Sequence, residues 1–180
     1  MTNKTIQTYL QALGYYCGLI DGVKGPLQTR AVKEFQKDND LAADGVVGKK
    51  TKPKLKKAYQ NRDKKQLSRH FEKSEFKCGC KGKYCNGYPV AVNPKLLGIL
   101  EKLRTDYGKP ITITSGVRCK KHNNSLPGSS RTSLHLKGKA ADIYIPGVSR
   151  AEIKKRAYRY GAAYSYYGTP SMGNAVHINI

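Results

Sequence analysis

Apolar residues recur at helical spacing through the first third of the chain. In TIQTYLQALGYY, Ile6, Leu10, Leu13 and Tyr16 mark one face of a helix, and Gly14 falls near its end, where a left-handed residue is often needed. A turn at Asp21-Gly22 leads to a second helix whose inward face is Ala31, Val32 and Phe35. A further turn, Asp44-Gly45, precedes Val46, Val47 and Gly48, and Thr51 is placed to cap a third helix running through Leu55. The segments Asp21-Gly22-Val23-Lys24-Gly25 and Asp44-Gly45-Val46-Val47-Gly48 echo each other, and each is followed by a threonine, Thr29 and Thr51. A single echo falls short of a stacking array and predicts a pseudo-symmetric pair of helix-entry loops.

The pattern changes after Leu55. Residues 56–69, KKAYQNRDKKQLSR, carry few apolar anchors and read as a linker or a fraying helix end. A second domain then starts near His70. NPKLLGILEKLRTDYG predicts a helix with Leu96, Leu97, Leu100 and Leu103 inward. PITITSG and KAADIYI predict short strands, RAEIKKRAYRYG a second helix, and AVHINI a terminal strand. The predicted class is therefore α+β: a small all-α domain of three helices over residues 1–60, a linker over 61–69, and an α+β domain with a small antiparallel sheet over 70–180.

Composition adds one large fact. Thirty-four Lys and Arg stand against 12 Asp and Glu, a formal charge of +22, with 11 basic and 5 acidic residues in the first 60 positions. Such a field predicts attraction to a polyanion and leaves its identity to the motifs. No recognisable nucleic-acid motif accompanies the charge, so a nucleic-acid partner is not expected. No apolar run is long enough to insert in a membrane, and the N-terminus lacks the uninterrupted apolar core of a secretory signal.

The candidate chemistry lies in SLHLKGKAADIYI, where His135 is followed seven positions later by Asp142. Zinc accepts imidazole nitrogen and carboxylate oxygen, and a catalytic site combines three protein ligands with water. A histidine in a loop and an aspartate on the next strand converge if the chain between them folds back tightly, which Gly138 and Ala140-Ala141 permit. His177 on the terminal strand is the natural third ligand. Alternation there puts Ala175, His177 and Asn179 on one face and Val176, Ile178 and Ile180 on the other.

Two resemblances follow from these motifs. LGYYCGLIDGVKGPLQTRAVKEFQKDNDLAADGVVGKKT resembles the three-helix peptidoglycan-binding domain common in bacterial and phage wall hydrolases. That likeness implies peptidoglycan binding at the two loops, Asp21, Gly22 and Gly25 in one and Asp44, Gly45 and Gly48 in the other. The second domain resembles the zinc D-Ala-D-Ala carboxypeptidases, the M15 peptidases. Their signature S-x-H-x-x-G-x-A-x-D matches at Ser133, His135, Gly138, Ala140 and Asp142, and FEKSEFKCGCKGKYCNG, ITITSGVRCKKHN and the terminal VHINI extend the match. It implies zinc-dependent cleavage of D-amino-acid-containing wall peptides by water attack on a peptide carbonyl. It also implies that Arg118 holds a substrate carboxylate or carbonyl, a role that suits the planar donor fork of guanidinium.

The chain departs from that family at the general base. Many members carry Asp or Glu three residues before the last ligand, where this chain has Asn174, and others carry Asp two residues after it, where this chain has Asn179. An amide cannot take the proton. His122 is one candidate base, since imidazole titrates in the right range; Glu72 and Glu75 are others. The competing reading is a catalytically impaired, zinc-containing wall-binding protein.

Five cysteines are present, Cys17, Cys78, Cys80, Cys85 and Cys119, an odd number. Cys78, Cys80, Cys85 and Cys119 fit a second, structural zinc, a disulfide such as Cys85–Cys119, or free buried thiols. The tyrosine run Tyr164, Tyr166 and Tyr167 is placed to line a substrate cleft or to sit half-buried on a strand. The expected protein is a monomeric wall hydrolase, extracellular or at the cell wall, with peptidoglycan and anionic wall polymers as partners. It would arrive by phage-type release or as a secreted chain shortened at its N-terminus.

Overall fold

The computed structural model describes residues 1–16, 18–62 and 65–180; Cys17 and two residues of the expected linker, Asp63 and Lys64, lie outside the described residues. The chain divides into two compact units, Met1–Glu72 and Lys73–Ile180.

The first unit holds three helices, α1 (Asn3–Ala12), α2 (Pro26–Asp38) and α3 (Thr51–Asn61). Ile6, Leu10, Tyr16, Ala31, Val32, Phe35 and Leu55 close into one core, with Val47 and Ala58 packed against it. The periodicity predicted these faces. α3 continues through the basic stretch that reads as linker, because Ala58 joins the core and the Tyr59 ring stacks on Tyr9 with centroids 3.9 Å apart. These two anchors are masked by the lysines around them. Beyond α3, the Leu67 and Ser68 amides donate to the Phe71 carbonyl, and buried Phe71 belongs to this unit. The two compact units thus divide after Glu72.

The sequence echo is matched by an echo in three dimensions. Gln7 on α1 is fully buried; its Nε2 donates to Asp21 Oδ1 at 2.8 Å and to the Val23 carbonyl at 3.0 Å, and its Oε1 accepts from the Gly22 amide. Gln36 on α2 repeats the pattern with Asp44 Oδ1 at 2.7 Å, the Val46 carbonyl at 2.9 Å and the Gly45 amide. Each aspartate also accepts from the amide two residues on, Val23 or Val46. Gly22 and Gly45 sit at φ of 84° and 77°, which only glycine adopts without strain. Asp21 and Asp44 thus act as the hinge pins of their loops, and these bonds hold both carboxyls below the usual carboxylate range. Gly25 and Gly48 have open space where a side chain would stand. Thr51 does not cap α3: Lys50 is the cap residue, and the Thr51 hydroxyl accepts from Gln36 instead.

In the second unit, α4 (Pro94–Tyr107) starts on an Asn93 cap and ends at Gly108, which is left-handed. β1 (Thr112–Ser115), α5 (Lys120–Ser125), β2 (Ala140–Tyr144), α6 (Arg150–Arg159), β3 (Tyr164–Tyr166) and β4 (Val176–Asn179) follow. The strands form one antiparallel sheet in the order β1-β2-β4-β3. α6 packs on β3 and β4, and α4 packs on α6. The fold is α+β, with two elements that the apolar pattern does not announce. β3 is a three-residue strand of two tyrosines around a buried serine, and α5 is a polar six-residue helix capped by Cys119.

The register matters most. Ser115 pairs with Asp142, Asp142 with His177, and His177 with Tyr166, so one row of side chains crosses all four strands on the same face.

The latch geometry gives a test. Replacing Gln36 with Ala removes four side-chain bonds and strands buried partners, so the first unit should lose about 2–4 kcal/mol. Calorimetry of the intact chain should show its transition moving down, and an unchanged transition would contradict the latch.

Candidate metal centre and active site

His135 lies on a 3-10 turn, Leu134–Lys137, that ends at left-handed Gly138 and turns directly into β2. The turn is forced close to the chain before α4. The Asn93 amide donates to the Gly138 carbonyl, and a Cβ at Gly138 would stand 1.9 Å from the Ala91 carbonyl oxygen. No side chain fits there. The tight return between His135 and Asp142 that the sequence requires is therefore present.

Three donor atoms converge at the centre of the sheet. His177 Nδ1 lies 2.7 Å from Asp142 Oδ1, His135 Nε2 lies 3.2 Å from His177 Nδ1, and His135 Nε2 lies 3.3 Å from Asp142 Oδ1. All three side chains are buried. A tetrahedral ion at about 2.0–2.1 Å from each donor would hold them about 3.3 Å apart, so the triangle fits a zinc-sized ion. The tautomers fit too. His135 Nδ1 sits 2.7 Å from the Gly116 carbonyl and donates to it, leaving Nε2 a lone pair. On His177 the far nitrogen, Nε2, lies 3.3 Å from the Asn179 side-chain amide, whose oxygen reaches it by a turn of the amide. Burial pushes the Asp142 carboxyl up, but hydrogen bonds and positive character from His135 and His177 outweigh it and hold the group well below the usual carboxylate range. The cluster is thus an anionic oxygen between two oriented imidazoles.

Arg118 contacts this cluster directly. Its Nη2 donates to Asp142 Oδ2 at 2.7 Å and its Nε to Ser115 Oγ at 2.9 Å. Part of the donor fork expected to face substrate therefore orients the Asp142 carboxylate, leaving Oδ1 for the triangle. Gly116 makes the approach possible: a Cβ there would lie 2.5 Å from the Phe76 Cα and carbonyl oxygen. Neither Ser115 nor Gly116 stands out in the sequence, and their adjacency to Arg118 in SGVR is the one signal that pointed there.

A cleft of about 460 Å³ opens over the cluster, lined among others by Glu75, Arg118, His122, Asp142, Tyr166 and Met172. The Tyr166 ring lies against His177 with centroids 4.7 Å apart. Burial raises its phenol pKa and the Asp142 charge adds to this, so the hydroxyl stays protonated. Tyr164 and Tyr167 are exposed instead. Burial lowers the His122 pKa, and the charge of Arg118 lowers it further. Asn174 is exposed and lies outside the cleft lining, as does Glu72, which belongs to the first unit. Asn179 is buried beside His177 and has a structural partner. Cys78, Cys80, Cys85 and Cys119 form no disulfide in this structure, and their sulfurs all lie within 4.8 Å of one another.

Comparison with known proteins adds the following. Residues 69–179 match the family model described as Peptidase M15, and residues 3–55 match a peptidoglycan-binding domain. The chain is 33% identical over 148 residues to the zinc D-Ala-D-Ala carboxypeptidase of Streptomyces albus G, covering 79% of this chain and 56% of that protein. It is 34% identical over 96 residues to the peptidoglycan L,D-endopeptidase MepK of Escherichia coli K12, covering 49% of this chain and 51% of that one. It is 45% identical over 47 residues to the N-acetylmuramoyl-L-alanine amidase CwlM of Mycobacterium tuberculosis, covering 26% of this chain and 12% of that one. The chain thus spans about half the length, or less, of these relatives.

The close approach at Gly116 predicts the effect of adding one methyl group. Gly116→Ala should push the segment off Phe76, cost about 1–3 kcal/mol of stability and weaken zinc binding by loosening His135. Thermal unfolding and chelator competition read the two effects; normal zinc affinity in a destabilised variant would separate Gly116 from the metal centre.

Proposed function

The chain belongs to the M15 peptidase family, and from that membership we propose that it is a peptidoglycan hydrolase, a zinc-dependent peptidase cleaving D-amino-acid-containing stem or cross-link peptides of the bacterial wall. The observation that carries the reading is the convergence of His135 Nε2, Asp142 Oδ1 and His177 Nδ1 beneath a cleft walled by Arg118 and Tyr166. These three residues would hold the zinc. When bound, it would polarise the scissile carbonyl and bring the pKa of a water to about 7.

The chain's own groups supply the rest. Arg118 holds Asp142 by its outer oxygen and fixes the ligand's direction. Its remaining donors, at the cleft, suit a substrate carboxylate or carbonyl. The protonated Tyr166 hydroxyl is a donor for charge developing on the substrate oxygen. His122, half-buried in the cleft lining, has its pKa lowered by burial and by Arg118, which favours the neutral ring that a proton acceptor needs. Glu75 shares that lining and is the alternative acceptor. Asn174 takes no part in this scheme.

The first unit is read as the wall anchor. A shallow groove on α2, lined by Lys24, Arg30, Lys33 and Lys37, gives a basic face suited to anionic wall polymers. The wall-acting relatives support an extracellular or cell-wall site of action, with an endolysin-like or autolysin-like role. A second reading, a zinc-containing wall-binding protein without turnover, draws on Asn174 standing where the family resemblance implies a carboxylate.

Mass spectrometry of purified peptidoglycan after incubation decides between them. Release of peptides or of terminal D-amino acids is expected, stopped by chelation, restored by zinc and lost in His177→Ala. The products also separate carboxypeptidase from endopeptidase action. Zinc bound without cleavage would leave the wall-binding reading; absence of zinc would sink both. Within an active enzyme, Tyr166→Phe should lower kcat about 10²–10³-fold with little change in KM. An unaltered kcat would remove Tyr166 from the reaction.

A further inference from the structure

Residues 77–93 run without helix or strand between the 3-10 turn Lys73–Phe76 and α4. Between Lys77 and Pro89 the buried residues are Cys78, Cys80 and Gly87, so this loop has no apolar core of its own. A structureless loop of that length in a compact domain needs some other tie. Within the loop the backbone makes two bonds, Cys78 amide to Gly87 carbonyl at 2.8 Å and Lys83 amide to Cys80 carbonyl at 2.9 Å. What gathers at its centre is sulfur. Cys78, Cys80 and Cys85 from the loop meet Cys119 from the cap of α5, all four sulfurs within 4.8 Å of one another and the Cys80 and Cys85 sulfurs 3.5 Å apart. Four sulfurs at about 2.3 Å from a tetrahedral ion stand about 3.8 Å from one another.

Backbone amides are aimed at three of the sulfurs. The Cys119 amide donates to Cys78 Sγ at 3.3 Å, the Gly87 amide to Cys85 Sγ at 3.4 Å and the His122 amide to Cys119 Sγ at 3.4 Å. Four thiolates around a divalent ion leave two negative charges. Lys77, Lys81, Lys83, Lys120 and Lys121, interleaved with the cysteines, offset them.

We propose that Cys78, Cys80, Cys85 and Cys119 form a second metal site, a closed tetrathiolate site for a soft divalent ion of the zinc class, which fastens the cleft wall that positions His135 and Arg118. The connection runs through three consecutive amides. Val117 donates to the Phe76 carbonyl, Arg118 to the His135 carbonyl and Cys119 to Cys78 Sγ. The segment between the cysteine cluster and the His135 turn is thereby clamped at both ends, and its Gly116 carbonyl holds His135 Nδ1. Between Cys78 and Cys80, the space where a Gly79 Cβ would stand is 3.0 Å from His122 Nε2. The sulfur site rests on the cysteines alone; its positioning effect rests on the proposed function of the cleft.

Metal content and cobalt spectra test the site without any use of activity. Purified protein should carry about two zinc ions per chain, His177→Ala one, and Cys80→Ser with Cys85→Ser at most one. Cobalt exchanged into His177→Ala should give sulfur-to-metal charge transfer and intense tetrahedral bands. Cys85→His, which keeps a zinc ligand, should retain the second ion. One zinc in the wild type with none in His177→Ala, or an intact mass lowered by disulfide formation, would overturn the proposal. The positioning effect is read separately, as a drop of about 10–100-fold in zinc affinity of the histidine site in Cys85→Ser, rescued in Cys85→His. Unchanged affinity there, with the second zinc lost, would leave a metal site that does not position the first. A failure of peptidoglycan cleavage alters none of these readings.

Discussion

The pairing of Asp142 on β2 with His177 on β4 is the constraint around which the second unit is organised. It places a carboxylate and an imidazole directly opposite each other on neighbouring strands, both buried, with donor atoms 2.7 Å apart. A carboxylate in such a position is costly unless its lone pairs are satisfied. Here Arg118 donates to one oxygen, and the other faces the ring nitrogens of His135 and His177, where a bound cation would balance it. A one-residue slip of β4 would turn His177 to the helix-covered face and bring Val176 or Ile178 into its place. The residues around His177 resist that slip, since Val176 and Ile178 are fully buried.

The third donor comes from outside the sheet, and its delivery depends on backbone contact. His135 is held from above by the Gly116 carbonyl and from below by a turn pressed against the chain at Ala91. Both approaches exclude a Cβ, so the two glycines belong to the site as firmly as the side chains do. The same device organises the first unit at lower chemical stakes. There a buried glutamine, rather than a histidine, grips a glycine turn, once with Gln7 and again with Gln36. In each case a regular element supplies one buried polar side chain, and an irregular loop is fixed by it.

The polar departures in the family motif take on different meanings once their positions are known. Asn179 lies against the outer nitrogen of His177, where an amide serves as well as a carboxylate for orienting the ring. Asn174 is exposed and outside the cleft lining. The titratable side chains that share the cleft lining, His122 and Glu75, come instead from α5 and from the 3-10 turn before the cysteine loop.

The helical faces of the first unit, the α4 helix and three of the four strands were legible from apolar spacing, because burial of one face imposes a period that survives in any single sequence. The donor set His135, Asp142 and His177 was legible as well, since zinc chemistry admits few residue types and an acid is scarce in this basic half of the chain. Other features depended on contacts between residues far apart in the chain. Tyr59 extends α3 by stacking on Tyr9, fifty positions away, and β3 exists because β4 offers it an edge. Asp21 and Asp44 are gripped by glutamines 14 and 8 positions earlier on helices, partners that the turn motifs do not announce. Cysteine spacing left three states open, and only the fold shows Cys119 arriving beside Cys78, 41 positions away. Local sequence determines which face of each element is apolar and which residues can bind a metal. Which of them meet is decided by strand register and by backbone contacts at glycine, and neither leaves a period in the sequence.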